Sequence, residues 1–363
     1  MNRPPVDQGK FAALLKWIGI AAGLLSFATA LYGVVRAQAE LRERERVVTE
    51  QIALARSQRT AGDYAAAWDS LQRAGSASEA DGMIAKLLGG LSEKQQAVRT
   101  AQEDLAMEWI RGAHAPEGHK FGEVADKVVG TLTVGANDAS GSRKAELLAH
   151  VGWAYFLKIR DGDTRLRPDG QYKLAVAADA TNPYANAFWG HFILWNNGPL
   201  SEAKTRFAAA LATGRERADV REFQLAALSN SEAQELEAEW WRVINEMRKN
   251  GEPIDAHTRD LMIFHYGIAL HDGAEMKVLL AAAPPADHIE LLKALRQGRD
   301  DQGGKFTVTA ALAVMLEAAG RKEESLAAWR DLLTETHGDP SYELHDRAKA
   351  AIVRLGAHAP SAR

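Results

Sequence analysis

The sequence contains no cysteine. That absence excludes disulfides, CxxC redox chemistry, thiolate catalysis and cysteine-based zinc sites. It also lacks any Lys/Arg block standing clear of Asp and Glu. With 44 basic and 48 acidic residues interspersed and a formal charge of -4, no phosphate-binding stripe forms, so nucleic acid is not an expected partner. Long Val/Ile/Thr alternations are missing, whereas Ala, Leu, Glu and Arg abound, and the predicted class is all-α. Neither a Gly-x-Ser-x-Gly elbow nor a paired-carboxylate signature is present. No cofactor or metal is expected, and the chain does not read as an enzyme.

Between Trp17 and Val35 there is no charged residue. A run of about 19 positions at roughly 1.5 Å per helical residue approaches the hydrocarbon core of roughly 30 Å, which predicts a transmembrane helix over 17–35. Lys16 can snorkel to the headgroups, and Trp17 and Tyr32 sit near opposite ends as interfacial aromatics do. A cleavable signal peptide is the rival reading, supported by Arg3, Lys10 and the small-x-small run Ala37-Gln38-Ala39. Against it, the apolar stretch exceeds the usual h-region of about 7 to 15 residues. Arg3, Lys10 and Lys16 on one flank nearly balance Arg36, Arg42, Arg44 and Arg46 on the other. The expectation is a single-pass bacterial inner-membrane protein with a periplasmic C-terminal region, the cytoplasmic orientation staying open. Glu40 to Arg46 then alternates sign, and pairs such as Glu43 and Arg46 suit a solvated helical stalk over 36–50.

After the stalk, the chain repeats a pattern. Gly62-Asp63-Tyr64 is followed by Ala67, Leu71 and Ala74: a turn, then small residues that let two helices approach, with a Leu between them. A second unit begins at Leu148 with Val151, Gly152 and Tyr155, and runs to Asp179-Ala180-Thr181-Asn182-Pro183. Its turn is lengthened between Arg160 and Gly170. A third has Trp189, Gly198, Ala203, Phe207, Ala210 and Leu211. A late one has Leu312, Leu316, Gly320, Trp329 and Leu332.

These positions resemble the tetratricopeptide repeat, a helix-turn-helix unit of roughly 34 residues. The resemblance implies a TPR-like α-solenoid of antiparallel helix pairs over 51–355, clearest at about 51–81, 145–185, 186–215 and 306–337. A short tail precedes the membrane helix over 1–16, and a disordered tail is expected over 356–363. Elsewhere, Ser92 with Gln95 and Ser231 with Gln234 have capping-box spacing. Asn250-Gly251 before Pro253 reads as a helix stop, as Gly89-Gly90, His114 to Lys120 and Pro284-Pro285 read as turns. The short apolar run Val124 to Val134 fits either a helix or a bent segment.

Three motifs invite chemistry and fail its demands. Gly303-Gly304-Lys305 has Phe306 where a phosphate loop needs Ser or Thr, and reads as an inter-helix loop. Asp161-Gly162-Asp163 departs from a calcium loop at Arg165 and at Tyr172. His257, His265 and His271 are spaced by eight and six, not the four that puts two ligands on one helix face.

The family resemblance implies scaffolding or adaptor work: binding another protein or an extended peptide on a curved surface. Aromatics concentrate in the best-matched units, where packing is their ordinary use. Counted by family positions, Trp153, Phe156 and Asn197 fall on the groove side. Two alternatives remain at this level: an enzyme or ligand-binding protein with a site assembled on the helices, and a structural subunit of a membrane oligomer.

Overall fold

A computed structural model describes residues 8–79, 92–112, 120–229, 233–297, 302–340 and 342–356, with the backbone alone for 8–15, 18–24, 92 and 302. Arg3, Gly89-Gly90, most of His114 to Lys120, Ser231 and the tail from 357 onward lie outside the described residues. Among those described, every regular element is an α-helix, sixteen in all, packed as neighbouring pairs. The chain divides into two compact units, residues 1–185 and 186–363.

The first unit holds α1 (Gln8–Thr60), α2 (Tyr64–Ser78), α3 (Ser92–Arg111), α4 (Gly122–Asp138), α5 (Gly141–Arg160) and α6 (Pro168–Ala178). Gly62, at φ 79, makes the turn out of α1, and Asp63 caps α2 by accepting from the Ala66 N–H at 3.0 Å. Ala67, Leu71 and Ala74 are buried on α2 as the repeat pattern requires. α3 does start at Ser92, and Gln95 donates to the Ser78 carbonyl at 2.7 Å. Val124 to Val134 lies within α4, which settles that segment as helix.

α5 and α6 pack closely because Gly152 has no side chain. A Cβ there would stand 2.5 Å from the Tyr172 ring. Between these helices, Asp161 accepts from the Gly122 N–H and Asp163 pairs with Arg165 at 3.1 Å. The carboxylates of that lengthened turn are therefore committed to fold contacts. Pro183 opens the next helix, with Asn182 capping it by accepting from the Ala185 N–H at 3.0 Å.

α7 (Pro183–Trp195) leads into the second unit, which continues through α8 (Leu200–Gly214), α9 (Ala218–Ser229), α10 (Gln234–Asn250), α11 (Ala256–His271) and α12 (Gly273–Ala282). It closes with α13 (Pro285–Gln297), α14 (Gln302–Ala318), α15 (Lys322–Glu335) and α16 (His345–Gly356). Its core is built around Trp240, Trp241, Tyr266 and Trp329. Burial of a side chain of this size contributes about 1.5–3 kcal/mol, more than any surface contact here. Gly251 ends α10 at φ 69, its N–H donating to the Arg248 carbonyl at 3.1 Å, and Gly320 turns α14 into α15 at φ 74.

One expectation is corrected. Gly303-Gly304-Lys305 forms the first turn of α14, not a loop. Backbone N–H groups in a first helical turn lack intrahelical partners anyway, so glycine costs little there. No helix among the described residues is long and apolar enough to cross a membrane. The expected span over 17–35 includes 18–24, whose side chains lie outside the described residues. The charged stretch beyond it is helical within α1, where Arg46 pairs with Glu43 at 2.5 Å and with Glu50 at 3.3 Å.

Candidate interaction groove

The first unit is a stack of three hairpins whose leading helices run parallel. Lys94 on α3 reaches Thr49 on α1 at 3.4 Å, and further along both helices Arg59 pairs with Glu108. Residue numbers rise together, so α1 and α3 are parallel. α5 continues the series. Arg143 bonds Asp104 and Glu103, each at 2.7 Å, and Arg111 meets the His150 Nε2 at 3.0 Å. α4 runs the other way against α3, since Arg99 pairs with Asp138 at 2.6 Å while Lys127 lies over the Trp109 ring at 5.6 Å.

Parallel leading helices leave a furrow between them. A cavity of about 530 Å³ lies between α1 and α3, with Leu71 of α2 and Leu105 at its base. On α1 it is lined by Ile52, Ala55, Arg56 and Arg59, and on α3 by Ala97, Thr100, Ala101 and Asp104. Both sets follow i, i+3, i+4, i+7 spacing, which puts each on one helix face. Small side chains at Ala55, Ala97 and Ala101 leave this space unfilled.

The furrow is polar at its rims. Arg59 is committed to Glu108 and Asp104 to Arg143. Arg56 and Glu93 are exposed and make no ion pair among the described residues. Since Glu93 opens α3 and Arg56 lies near the end of α1, the two parallel helices place the unpaired carboxylate and guanidinium toward opposite ends of the groove. Such an arrangement suits an extended segment and offers no convergent reactive groups.

The sequence-derived groove residues fall elsewhere. Trp153 is 6% exposed, its Nε1 donating to the Ile110 carbonyl at 3.2 Å, and Phe156 is fully buried with its ring 4.9 Å from that of Trp153. Both are packing residues, so the expectation that they face a partner is corrected. α3 stacks over the face that position counting assigned to the groove. Asn197 is exposed in the second unit, at φ 55, in the turn that closes α7. It serves that turn, which asparagine tolerates better than most residues.

The remaining titratable clusters are structural. His265 stands 3.2 Å from the Glu237 carboxylate, off the line of a hydrogen bond, and 5.2 Å from the Trp240 ring. Burial, then a hydrogen bond and the charge of Glu275, raise the Glu237 pKa to about 7, while burial lowers that of His265. The Tyr266 hydroxyl meets His288 Nδ1 at 2.9 Å, and His288 Nε2 meets the Leu279 carbonyl at 2.9 Å. Burial lowers the His288 pKa and favours the neutral ring, of which only the form with its proton on Nε2 satisfies both contacts, with Tyr266 as the donor. Arg221, almost wholly buried, bonds Glu252 at 2.9 Å twice and Glu246 at 3.1 Å. His257 and His271 are exposed, and among the described residues no group of His, Asp and Glu is placed to hold a metal ion.

The fold and groove define an all-helical protein of stacked helix pairs. No protein-family profile matches the chain, and no curated protein matches it. Sequence reasoning missed the α1–α3 groove, although the signal was present in the run of Ala97, Thr100 and Ala101 along one face.

Proposed function

We propose that the chain is a membrane-anchored helical-repeat scaffold of tetratricopeptide type, whose first unit binds a protein segment or extended peptide between α1 and α3. The parallel packing of α1, α3 and α5 carries the reading, because successive hairpins stacked this way hold an open furrow rigid. A partner then orders itself against a surface that need not reorganise. The glycines at the hairpin turns and Gly152 at the close approach of α5 and α6 support the repeat assignment.

The anchor reading rests on the uncharged stretch 17–35 inside α1 and on the outward side chains of Leu25, Phe27, Leu31 and Val35, which are exposed and unpacked. Exposed apolar side chains of this kind are stable in lipid and costly in water. Our reading places α1 across a bacterial inner membrane, with the repeats on the periplasmic side. Tethering would raise the effective concentration of membrane-borne partners without new contacts.

The test is photocrosslinking in cells from Ala97 and Thr100 of the full-length protein, with exposed Asp69 on α2 as control. The expected result is one recurrent protein captured at the two groove positions and not at the control. Equal capture at all three positions, or none, overturns the groove. Extraction of the protein from membranes by alkaline carbonate would overturn the anchor separately.

A further inference from the structure

The sequence holds two Asn-Gly pairs, Asn197-Gly198 and Asn250-Gly251, and both asparagines are exposed. Asparagine before glycine is chemically labile, because no side chain hinders attack of the glycine nitrogen on the neighbouring carboxamide. Both pairs end a helix in the same hydrogen-bonded turn, but one residue out of register. After α7, Asn197 takes the left-handed position at φ 55, and the Gly198 N–H closes the turn by donating to the Ile193 carbonyl at 2.7 Å. After α10, Gly251 takes that position at φ 69, and the closing bond, to the Met247 carbonyl at 2.9 Å, comes from the Glu252 N–H instead.

The register decides which nitrogen can react. Freeing the Gly198 nitrogen breaks the bond that closes its turn, and Ile193 packs against it: a Cβ on Gly198 would stand 2.8 Å from the Ile193 Cγ2. The Gly251 N–H is shared between the Arg248 carbonyl, at 3.1 Å, and that of Met247, and nothing lies within 4 Å of a Cβ built there. Longer, shared bonds at a helix end open first. Asn250 and Gly251 also line a cavity of about 400 Å³, which gives water access to both.

We propose that Asn250 is a site of deamidation, and that its conversion to a carboxylate loosens the buried pair of Arg221 and Glu252. The Gly251 nitrogen, its proton lost to hydroxide, attacks the Asn250 Cγ. A C–N bond forms, the Cγ–Nδ2 bond breaks, and ammonia leaves with a proton from water. Water then opens the five-membered imide to aspartate or isoaspartate, so no reagent besides water is consumed. The carboxamide has a task in the fold. Its Nδ2 donates to the Glu252 Oε1 at 3.0 Å, and the same oxygen accepts from Arg215 at 2.7 Å and Arg221 at 2.9 Å. Deamidation replaces one of three donors with a like charge. The inference does not depend on the α1–α3 groove.

The experiment incubates the purified full-length protein near neutral pH for weeks and follows both pairs by peptide mapping, each conversion adding about one dalton. In the folded protein Asn250 should convert at least about threefold faster than Asn197, whereas in urea, where the register is lost, the two rates should converge. Asn250→Gln, whose imide would need a larger ring, should stay intact at that position. Asn250→Asp should lower the thermal midpoint near neutral pH, and the loss should shrink as pH falls and the paired carboxylates protonate. Conversion of Asn197 at an equal or higher rate in the folded protein, or no conversion of Asn250, overturns the site. An unchanged midpoint in Asn250→Asp overturns its effect on the buried pair.

Discussion

The ring of Tyr172 occupies the space that a side chain on Gly152 would need: a Cβ there would stand 2.5 Å from its Cε1. Tyr172 is fully buried. Gly152→Ala gains about 1 kcal/mol of helix propensity and meets overpacking of about 1–3 kcal/mol. The expected net effect is destabilisation of up to about 2 kcal/mol, read from urea unfolding. Gly190, whose Cβ would lie 3.0 Å from Phe207, should show a smaller loss on the same substitution.

Arg221 and Glu252 form the most buried ion pair described. Burial opposes the Glu252 charge, and hydrogen bonds from Arg221 and Asn250 with the charges of Arg221 and Arg215 outweigh it, holding the pKa at about 2. A depressed folded pKa means stability that is full above about 4.5 and lost as pH falls toward 2. Arg221→Met should cost about 1–3 kcal/mol, because Glu252 loses its most buried cation and keeps only Arg215 at 2.7 Å and Asn250 at 3.0 Å. The double variant with Glu252→Gln should recover part of that loss, as measured by thermal unfolding at neutral pH.

Glu237 has the opposite sign. Its folded pKa of about 7 lies above the unfolded value, so the native state binds the extra proton between about 4.5 and 7. Stability therefore falls as pH rises through that window, by at most about 3 kcal/mol. His265, with a lowered pKa, pulls the other way below about 6.5. Glu237→Gln should remove the Glu237 contribution and raise stability at pH 8. Parallel pH profiles for the two proteins would contradict the assignment.

Gly251 closes α10 at φ 69, in the left-handed region. Open space surrounds its Cβ position, so Gly251→Ala isolates backbone strain at about 1–2 kcal/mol. Asp63→Ala, which removes the α2 cap, should cost about 1 kcal/mol. Denaturant midpoints check both.

Local chemistry was the most legible part of the sequence. Gly62, Gly251 and Gly320 mark their turns because a positive φ is a property of one residue. Ala67, Leu71 and Ala74 show their buried face through spacing alone. The candidate site was less legible because it depends on which helix covers which face. Trp153 looks like a groove residue until α3 brings the Ile110 carbonyl to its indole. Arg221 looks like a surface cation, and its partners Glu246 and Glu252 lie 25 and 31 residues away. Gly303-Gly304 reads as a breaker in isolation, yet a helix can begin on glycines when the residues that follow, such as Val308 and Ala311, have a core to enter.

α1 is one uninterrupted helix of 53 residues, running from the uncharged stretch to the turn at Gly62. With no hinge along it, Ile52 and Val35 keep a fixed angular phase, about 25 Å apart at the helical rise. The groove wall is thus keyed to the same rod as the uncharged stretch. If that rod is seated in a bilayer, tilting or rotating it aims the groove, and inserting one residue between Arg36 and Val48 would swing the opening by about 100° around the helix axis.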